Sequence, residues 1–543
     1  MIRRGDALLW AGLWLLQLAP VWALRWFPTQ DGPSHLENAN ILLLMGRPDL
    51  PVFREYFAIN RQPTPNWLGH LALAMLIRVS NPFAAEKLLV TAYILGLPLA
   101  AAYAFRALRP DSAPLAVLAF PFLSNCLLHY GFYNFCLSMV LFFVVLGYWL
   151  RRRAGAGWRA TAALAALLVL LYGCHVVSWG LALAALAIFA PRSPGRLATA
   201  AAPSLALAAW FFLGRPSSVT ADVAVPAAAR WNGLVHFTTA VFSYSGADQW
   251  VGTGFALFLV CAAAASVAKR RWGPPAVFSG LVLLLYFAAP PGAAGGAVLL
   301  ERLNLYFFLS LLLGVAAAEW TPARRWYLQA GSALFTVALL ALNWPWYREA
   351  NRLIDEFLSG AAVLRPNSTL LPLVYDPRGP GRLRHLYGEP LRHIASLAAV
   401  MRDCVNLDNY EAQTDLFPVT FHGDRNPGVF IGAMEESPPR VRLDSPRIDY
   451  LLVWDPQHSA PAPPPRFAPV FSSPAGRMRI YRQGGGGEPP QGSAPKPRGL
   501  TCPGLQARAD LRRAANFERN LRTFGPTTAR QYGWYGFRSK YSW

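Results

Sequence analysis

The sequence predicts a mainly α-helical protein, a polytopic transmembrane helical bundle of about eleven helices followed by a C-terminal soluble α/β segment. Three observations predict it. Hydrophobic residues fill 54% of the 543 positions and charged residues only 15%, and mean hydropathy is +0.27, so there are too few charges to cover a water-facing surface of this size. The apolar residues fall in long runs bounded by short polar stretches. The basic residues gather at the ends of those runs, as they do in chains oriented across a membrane. A net charge of +21 would suit nucleic acid in a soluble chain. Here no polar domain carries the charge, so nucleic acid is excluded as a partner.

Taken in order, Arg3 and Arg4 precede the apolar run 7–24, which resembles a signal peptide but lacks a small-x-small site before Arg25 and so reads as a retained first helix. Further apolar segments follow at 88–105, 114–128, 135–150, 160–173, 176–190, 197–213, 254–268, 276–289, 303–318 and 327–342. Several fall short of the roughly 20 residues that a full span needs, and tilt or flanking residues complete them. With the N-terminus cytoplasmic, alternation places fifteen basic residues inside: Arg3, Arg4, Arg106, Arg109, Arg151, Arg152, Arg153, Arg159, Arg192, Arg196, Lys269, Arg270, Arg271, Arg324 and Arg325. The later outer loops carry only Arg215, Arg230 and Arg302. The segment 66–79 is apolar but short, and counting it as a span would place the Arg151 group outside, so it is expected to be a juxtamembrane or re-entrant helix.

This gives a multi-pass protein of a bacterial inner membrane with its C-terminus outside. The expected domains are a transmembrane region 1–345 with a large first outer loop 25–87, a soluble region 346–482 with strand-like runs at 369–375, 448–454 and 477–481, and a Gly/Pro/Arg-rich disordered tail 483–543 of no assigned function. Cys126, Cys136, Cys174 and Cys261 lie in or beside apolar runs and are expected to pack as small hydrophobes, which leaves Cys404 and Cys502 as the pair able to form a disulfide.

The polar residues beside the apolar runs collect at their outer ends. The first outer loop carries Thr29-Gln30-Asp31-Gly32-Pro33-Ser34-His35-Leu36-Glu37, where Gly-Pro forces a turn, Ser34 is placed to cap the next helix, and Asp31 is exposed just ahead of it. The same loop later holds Asn66 and, one turn on, His70. The second outer loop is His129-Tyr130-Gly131-Phe132-Tyr133-Asn134, the third centres on His175, and Glu301-Arg302 stands at the mouth of a later span. Ionisable groups at that depth are costly unless paired or turned to a wet cavity, so an outward-facing cleft is expected. Each has a plainer reading: a helix cap for Asp31, an ion pair for Glu301 and Arg302, interface anchors for the histidines, an aromatic belt for Phe132 and Tyr133. Convergence on one face is what marks a site. No two of these histidines share a ligand spacing such as H-x-x-x-H, so no metal ligand is assigned, no cofactor is named, and a divalent cation stays open. No G-x-x-x-x-G-K loop is present to drive a nucleotide-powered machine.

Over residues 1–345 the pattern resembles the GT-C superfamily of integral membrane glycosyltransferases, which includes protein mannosyltransferases and the aminoarabinose transferases of lipid A. The resemblance rests on a first helix followed by a large outer loop with an acidic motif, Gln30-Asp31-Gly32-Pro33-Ser34-His35, and on the Pro-containing Thr64-Pro65-Asn66-Trp67-Leu68 before a short apolar helix. It rests also on a helix ending in Tyr103-Ala104-Phe105-Arg106. Superfamily members often pair two acids in the first loop, where here Gly32 follows Asp31. The resemblance implies transfer of a sugar from a polyprenyl-phosphate donor to a glycan, lipid or protein acceptor outside the cytoplasm. It implies Asp31, His35 and Glu37 as the catalytic set, with Asp31 as base and Glu37 or Glu55 in reserve. Substrate would be held by Asn66, His70, His129, Tyr133, Asn134, His175, Glu301 and Arg302, with Arg302 on the lipid phosphate, membrane lipid around the bundle, and the region after Asn343 over the cleft. Two other readings stand beside it: a noncatalytic membrane assembly protein of the same fold, and a lipid or solute transporter, which would show repeated halves and midplane polar residues.

Overall fold

The structure is a computed structural model that describes residues 4–152, 157–190, 193–214, 225–267, 273–293, 296–432 and 439–484. The expected tail lies outside the described residues apart from its first two positions, as do Cys502, Arg3, Arg153, Arg192, Arg215, Lys269, Arg270 and Arg271.

The chain folds as a mainly helical bundle followed by a small mixed sheet. Among the described residues seven helices are long and apolar enough to cross a membrane: Arg4–Ala23, Pro82–Leu108, Tyr133–Arg151, Pro194–Leu213, Gly246–Val267, Leu299–Ala317 and the long Pro322–Phe357 helix. Leu68–Val79, Trp158–Cys174, Val176–Phe189 and Pro274–Ala288 are shorter apolar helices. Pro82–Leu108, Tyr133–Arg151 and Leu299–Ala317 are mostly buried and make the centre, whereas the outer helices expose Leu8, Leu213, Trp250, Leu284 and Leu334. Large apolar side chains turned outward along whole helices suit lipid, not water. Cys126, Cys136 and Cys174 are buried as expected, but Cys261 is exposed, on an outward-facing side of its helix.

One expected span takes another form. Residues 114–128 divide into a 3-10 helix, Pro110–Phe122, and a single turn, Cys126–His129. Pro114 and Pro121 remove backbone donors that an α-helix would use. At about 2 Å per residue the tighter helix reaches as far as a longer α-helix would. Side chains from neighbouring helices add hydrogen bonds to its carbonyls: Tyr93 Oη donates to Phe122 O at 3.2 Å, Ser332 Oγ to Val117 O at 2.7 Å and Gln17 Nε2 to Phe120 O at 3.4 Å. Such bonds serve the need of backbone polar groups inside a bilayer for partners.

The seven strands among the described residues are β1 (Phe57–Ile59), β2 (Thr369–Val374), β3 (Val405–Asn406), β4 (Val419–Phe421), β5 (Tyr450–Trp454), β6 (Phe467–Ser472) and β7 (Met478–Gln483). Five form one sheet in the order β3-β2-β5-β7-β6, with β2 parallel to β3 and β5, and β7 antiparallel to β5 and β6. The three expected strand-like runs are β2, β5 and β7. Strand β1, from the first outer loop, pairs antiparallel with β4, so that Phe57 faces Phe421 and Ile59 faces Val419. Around this pair Ile41, Leu44, Phe53 and Phe57 share a core with Leu371, Val405, Leu451 and Val453. The first loop is therefore built into the sheet region. The helix Pro322–Phe357 runs through the expected boundary near 345 without breaking at Pro345.

Candidate functional site

Asp31 stands at the N-cap position of the Gly32–Leu44 helix, but its carboxylate accepts no helix N–H. The expected cap by Ser34 is also not made: the helix begins at Gly32, and Ser34 Oγ lies buried within it without a hydrogen-bond partner. Nor is Asp31 exposed, as the sequence suggested; it is 6% accessible, because the second outer loop closes over it. Gln30 N–H donates to His129 O at 3.0 Å and Asp31 N–H to Tyr130 O at 2.9 Å. That approach needs glycine on both sides. Gly131 has φ of +87°, and a Cβ there would run into the backbone of Asp31 and Gly32. A Cβ on Gly32 would meet Thr29, Tyr133 and Glu86, so a second acid has no room at position 32. Glu86 brings a carboxylate there instead, from the first turns of Pro82–Leu108; Tyr133 Oη donates to it at 2.6 Å and meets Thr29 Oγ1 at 3.0 Å.

Gln30 Nε2 donates to Asp31 Oδ1 at 3.0 Å, and His393 Nε2 stands 3.6 Å from the same oxygen, its ring against Tyr410. Burial raises the Asp31 carboxyl to about 6, against the pull of the His35 charge and the Gln30 hydrogen bond. Burial, helped by Arg392, lowers His393 to about 3 and keeps it neutral. The Asp31 carboxyl thus titrates closer to neutrality than an ordinary carboxylate, beside an uncharged imidazole.

One turn further, His35 Nδ1 lies 2.6 Å from Glu411 Oε1 and 3.3 Å from His70 Nε2, which is itself 2.8 Å from Glu411 Oε2. All three residues are buried, and they form the one cation-sized cluster of His, Cys, Asp and Glu among the described residues. Burial pushes Glu411 up, but the charges and hydrogen bonds of His35 and His70 outweigh it and bring the carboxyl down to about 2. Burial likewise opposes charge on His35, and Glu411 overcomes it to raise that imidazole.

The other expected site residues divide. Glu37 Oε2 accepts from Asn406 Nδ2 at 3.1 Å, beside Ser396, and burial raises it to about 8 against the Ser396 and Asn406 hydrogen bonds. Asn66 and Asn134 bind backbone: Asn134 Oδ1 accepts from Gly69 N–H at 2.7 Å, its Nδ2 donates to Asn66 O at 3.2 Å, and Asn66 Nδ2 reaches Leu416 O. His129 is fully buried, 2.6 Å from the Tyr347 hydroxyl between Phe242 and Trp346. His175 caps Val176–Phe189, accepting from Val177 N–H at 3.2 Å, with its ring edge-on to Phe135. The expected ion pair between Glu301 and Arg302 is not made among the described residues. Arg302 donates to Ala297 O and lies over Phe132 and Phe135, with Nε buried and unpartnered. The guanidinium lies within electrostatic reach of Asp31 and His175. Glu55 pairs with Arg425 at 2.7 Å.

Sequence reasoning missed Glu86, His393 and Glu411. Glu86 carried a signal, a lone acid at the start of an apolar run. Glu411 was legible only as part of the patch Asn409-Tyr410-Glu411, some 340 residues from His70.

Fold and site together define a helical bundle with several candidate membrane spans, whose connecting loops and small mixed sheet enclose a buried carboxylate. No protein-family model matches the chain, and no curated protein matches it. Among solved structures it is similar to the cryo-EM structure of the arabinofuranosyltransferase AftD from Mycobacteria, at 17% identity and a TM-score of 0.49, over 89% of this chain and 40% of that one. It is similar also to a mutant form of that enzyme, at 17% identity and a TM-score of 0.47, over 89% of this chain and 42% of that one. The chain spans less than half the length of the AftD chains it matches.

Proposed function

We propose that this protein is a membrane glycosyltransferase that moves a sugar from a polyprenyl-phosphate donor to an acceptor hydroxyl on the non-cytoplasmic side. The observation that carries the reading is the placement of Asp31, a buried carboxylate at a helix start that caps nothing and lies within electrostatic reach of an arginine set over two phenyl rings. The acceptor oxygen attacks the anomeric carbon and gives its proton to Asp31. The bond from that carbon to the phosphate oxygen breaks, and the polyprenyl phosphate departs with the electron pair. Charge grows on the phosphate as the bond breaks, and Arg302 is the cation positioned to receive it. The apolar bundle suits the polyprenyl chain, and the GT-C resemblance of residues 1–345 points to the same chemistry. Residues 390–418, which supply His393, Tyr410 and Glu411, line the acceptor side.

The test compares cells carrying wild type, a deletion, or Asp31→Asn at matched expression, by mass analysis of envelope glycans and polyprenyl-linked sugars. Loss of one glycan with accumulation of its lipid-linked donor in both mutants is expected. A fully active Asp31→Asn protein would remove the base from this position.

A further inference from the structure

We infer that His35, His70 and Glu411 form a binding site for a divalent transition-metal ion of the Zn2+ class. The argument begins with hydrogen-bond accounting. His70 Nδ1 lies 3.0 Å from Asn66 O, an acceptor only, so this nitrogen carries a proton. In the neutral ring the opposite nitrogen, Nε2, then holds a lone pair, and it points at Glu411 Oε2 from 2.8 Å and at His35 Nδ1 from 3.3 Å. Glu411 Oε1 lies 2.6 Å from His35 Nδ1, a contact that either a shared proton or a cation can hold. The ligand atoms of two imidazoles and a carboxylate therefore converge in a buried space, all within 4.8 Å of one another. A cation at their centre reconciles all three.

The donor set and spacing select the ion. Two imidazole nitrogens and one carboxylate suit zinc, whereas calcium and magnesium prefer oxygen alone. Bonds of about 2.0–2.1 Å to a tetrahedral ion place neighbouring ligand atoms about 3.3 Å apart, the separation of the two nitrogens here, while the Glu411 oxygens, 2.6 and 2.8 Å from those nitrogens, would shift outward as the ion enters. The surrounding groups orient the ligands as metal sites require. Asn66 O fixes the His70 ring, and Asn38 Nδ2 donates to Glu411 Oε2 at 2.9 Å while also reaching Asn409 Oδ1. The three ligands come from the Gly32–Leu44 helix, the Leu68–Val79 helix and the segment after β3, so the ion ties the two loop helices to the sheet region one turn from Asp31. Metal binding here does not depend on the transferase reading, and it is measured without activity.

The test uses the full chain in detergent, stripped with chelator, reloaded with Zn2+ and desalted. Elemental analysis is expected to find one zinc per chain in wild type and in His129→Gln, and a loss to background in His70→Gln and Glu411→Gln. Wild type is also expected to unfold at a higher temperature with Zn2+ than without, and to give the visible spectrum of a tetrahedral site with Co2+. Those two readings need no variant, so they decide the matter even where a substitution prevents folding. Stripped, folded wild type that takes up no zinc and unfolds at the same temperature with or without it would overturn the site. So would full zinc retention by His70→Gln, and the cluster would then be an imidazolium–carboxylate pair only.

Discussion

Asp31 owes its character to burial. A carboxyl raised to about 6 must lose its proton to act as a base, so the transferase rate is expected to fall about tenfold per pH unit below that value and to level off above it. A kcat/KM profile in detergent checks this, and a rate that holds constant well below pH 6 would assign the base elsewhere. Arg302→Ala is expected to lower turnover on the order of 10²-fold and to weaken donor binding more than acceptor binding, as its proposed role at the phosphate requires; equal losses of both would remove that role. Glu37 is expected to behave differently. Its folded-state carboxyl sits near 8 against an ordinary 4.5, so the folded protein binds this proton more tightly than the unfolded chain does. Its contribution to stability is complete below pH 4.5 and declines as pH rises towards 8. Glu37→Gln, which copies the protonated form, is expected to keep activity and to flatten that decline in thermal unfolding; loss of turnover with normal stability would return Glu37 to the chemistry. Asp31, His35 and His70 were legible in the sequence because each is a polar residue at the outer end of an apolar run. Their partners His393 and Glu411 were not, because no local spacing links residues several hundred positions apart.

Among the elements, the turn at Gly131 and the Pro110–Phe122 helix carry the site most directly. Gly131→Ala adds a Cβ at a positive φ and against the Asp31 backbone, and it is expected to cost about 1–3 kcal/mol of stability and to reduce activity by moving Asp31. Thermal unfolding and turnover measured together check it; a variant with wild-type values in both would show that the turn tolerates a side chain. The sequence displayed the Gly-Phe-Tyr run but not its conformation, since the need for glycine arises only from the approach of the first loop. The apolar content of 114–128 was equally legible, whereas its 3-10 geometry was not: hydropathy reports that a segment is buried, not which carbonyls its neighbours satisfy. The hydroxyl of Ser332 is one of those neighbours, and Ser332→Ala is expected to cost about 0.5–1.5 kcal/mol by removing its hydrogen bond to Val117 O, again read by thermal unfolding.

At the scale of the whole molecule, the mainly helical class and the trailing sheet were legible because span-length apolar runs and short alternating runs leave distinct patterns. The joining of first loop to sheet was not, since strand β1 is three residues long and its partner lies more than 350 positions away. That small pairing has a consequence for threading. Two hydrogen-bonded strands occupy the same side of a bilayer, so the number of crossings between Ile59 and Val419 has even parity. Among the described residues, the six long apolar helices after the first, the three shorter ones between Trp158 and Ala288, and Pro110–Phe122 make ten rods. Ten meets the condition. Removing the 3-10 segment from the count, or adding Leu68–Val79 to it, leaves a number that would tear β1 from β4. Reporters placed at Arg61 and after Gln483 are therefore expected to give the same, non-cytoplasmic signal, and opposite signals would rule out this threading. By this count, a segment that is not an α-helix sets the side on which the sheet meets the first loop.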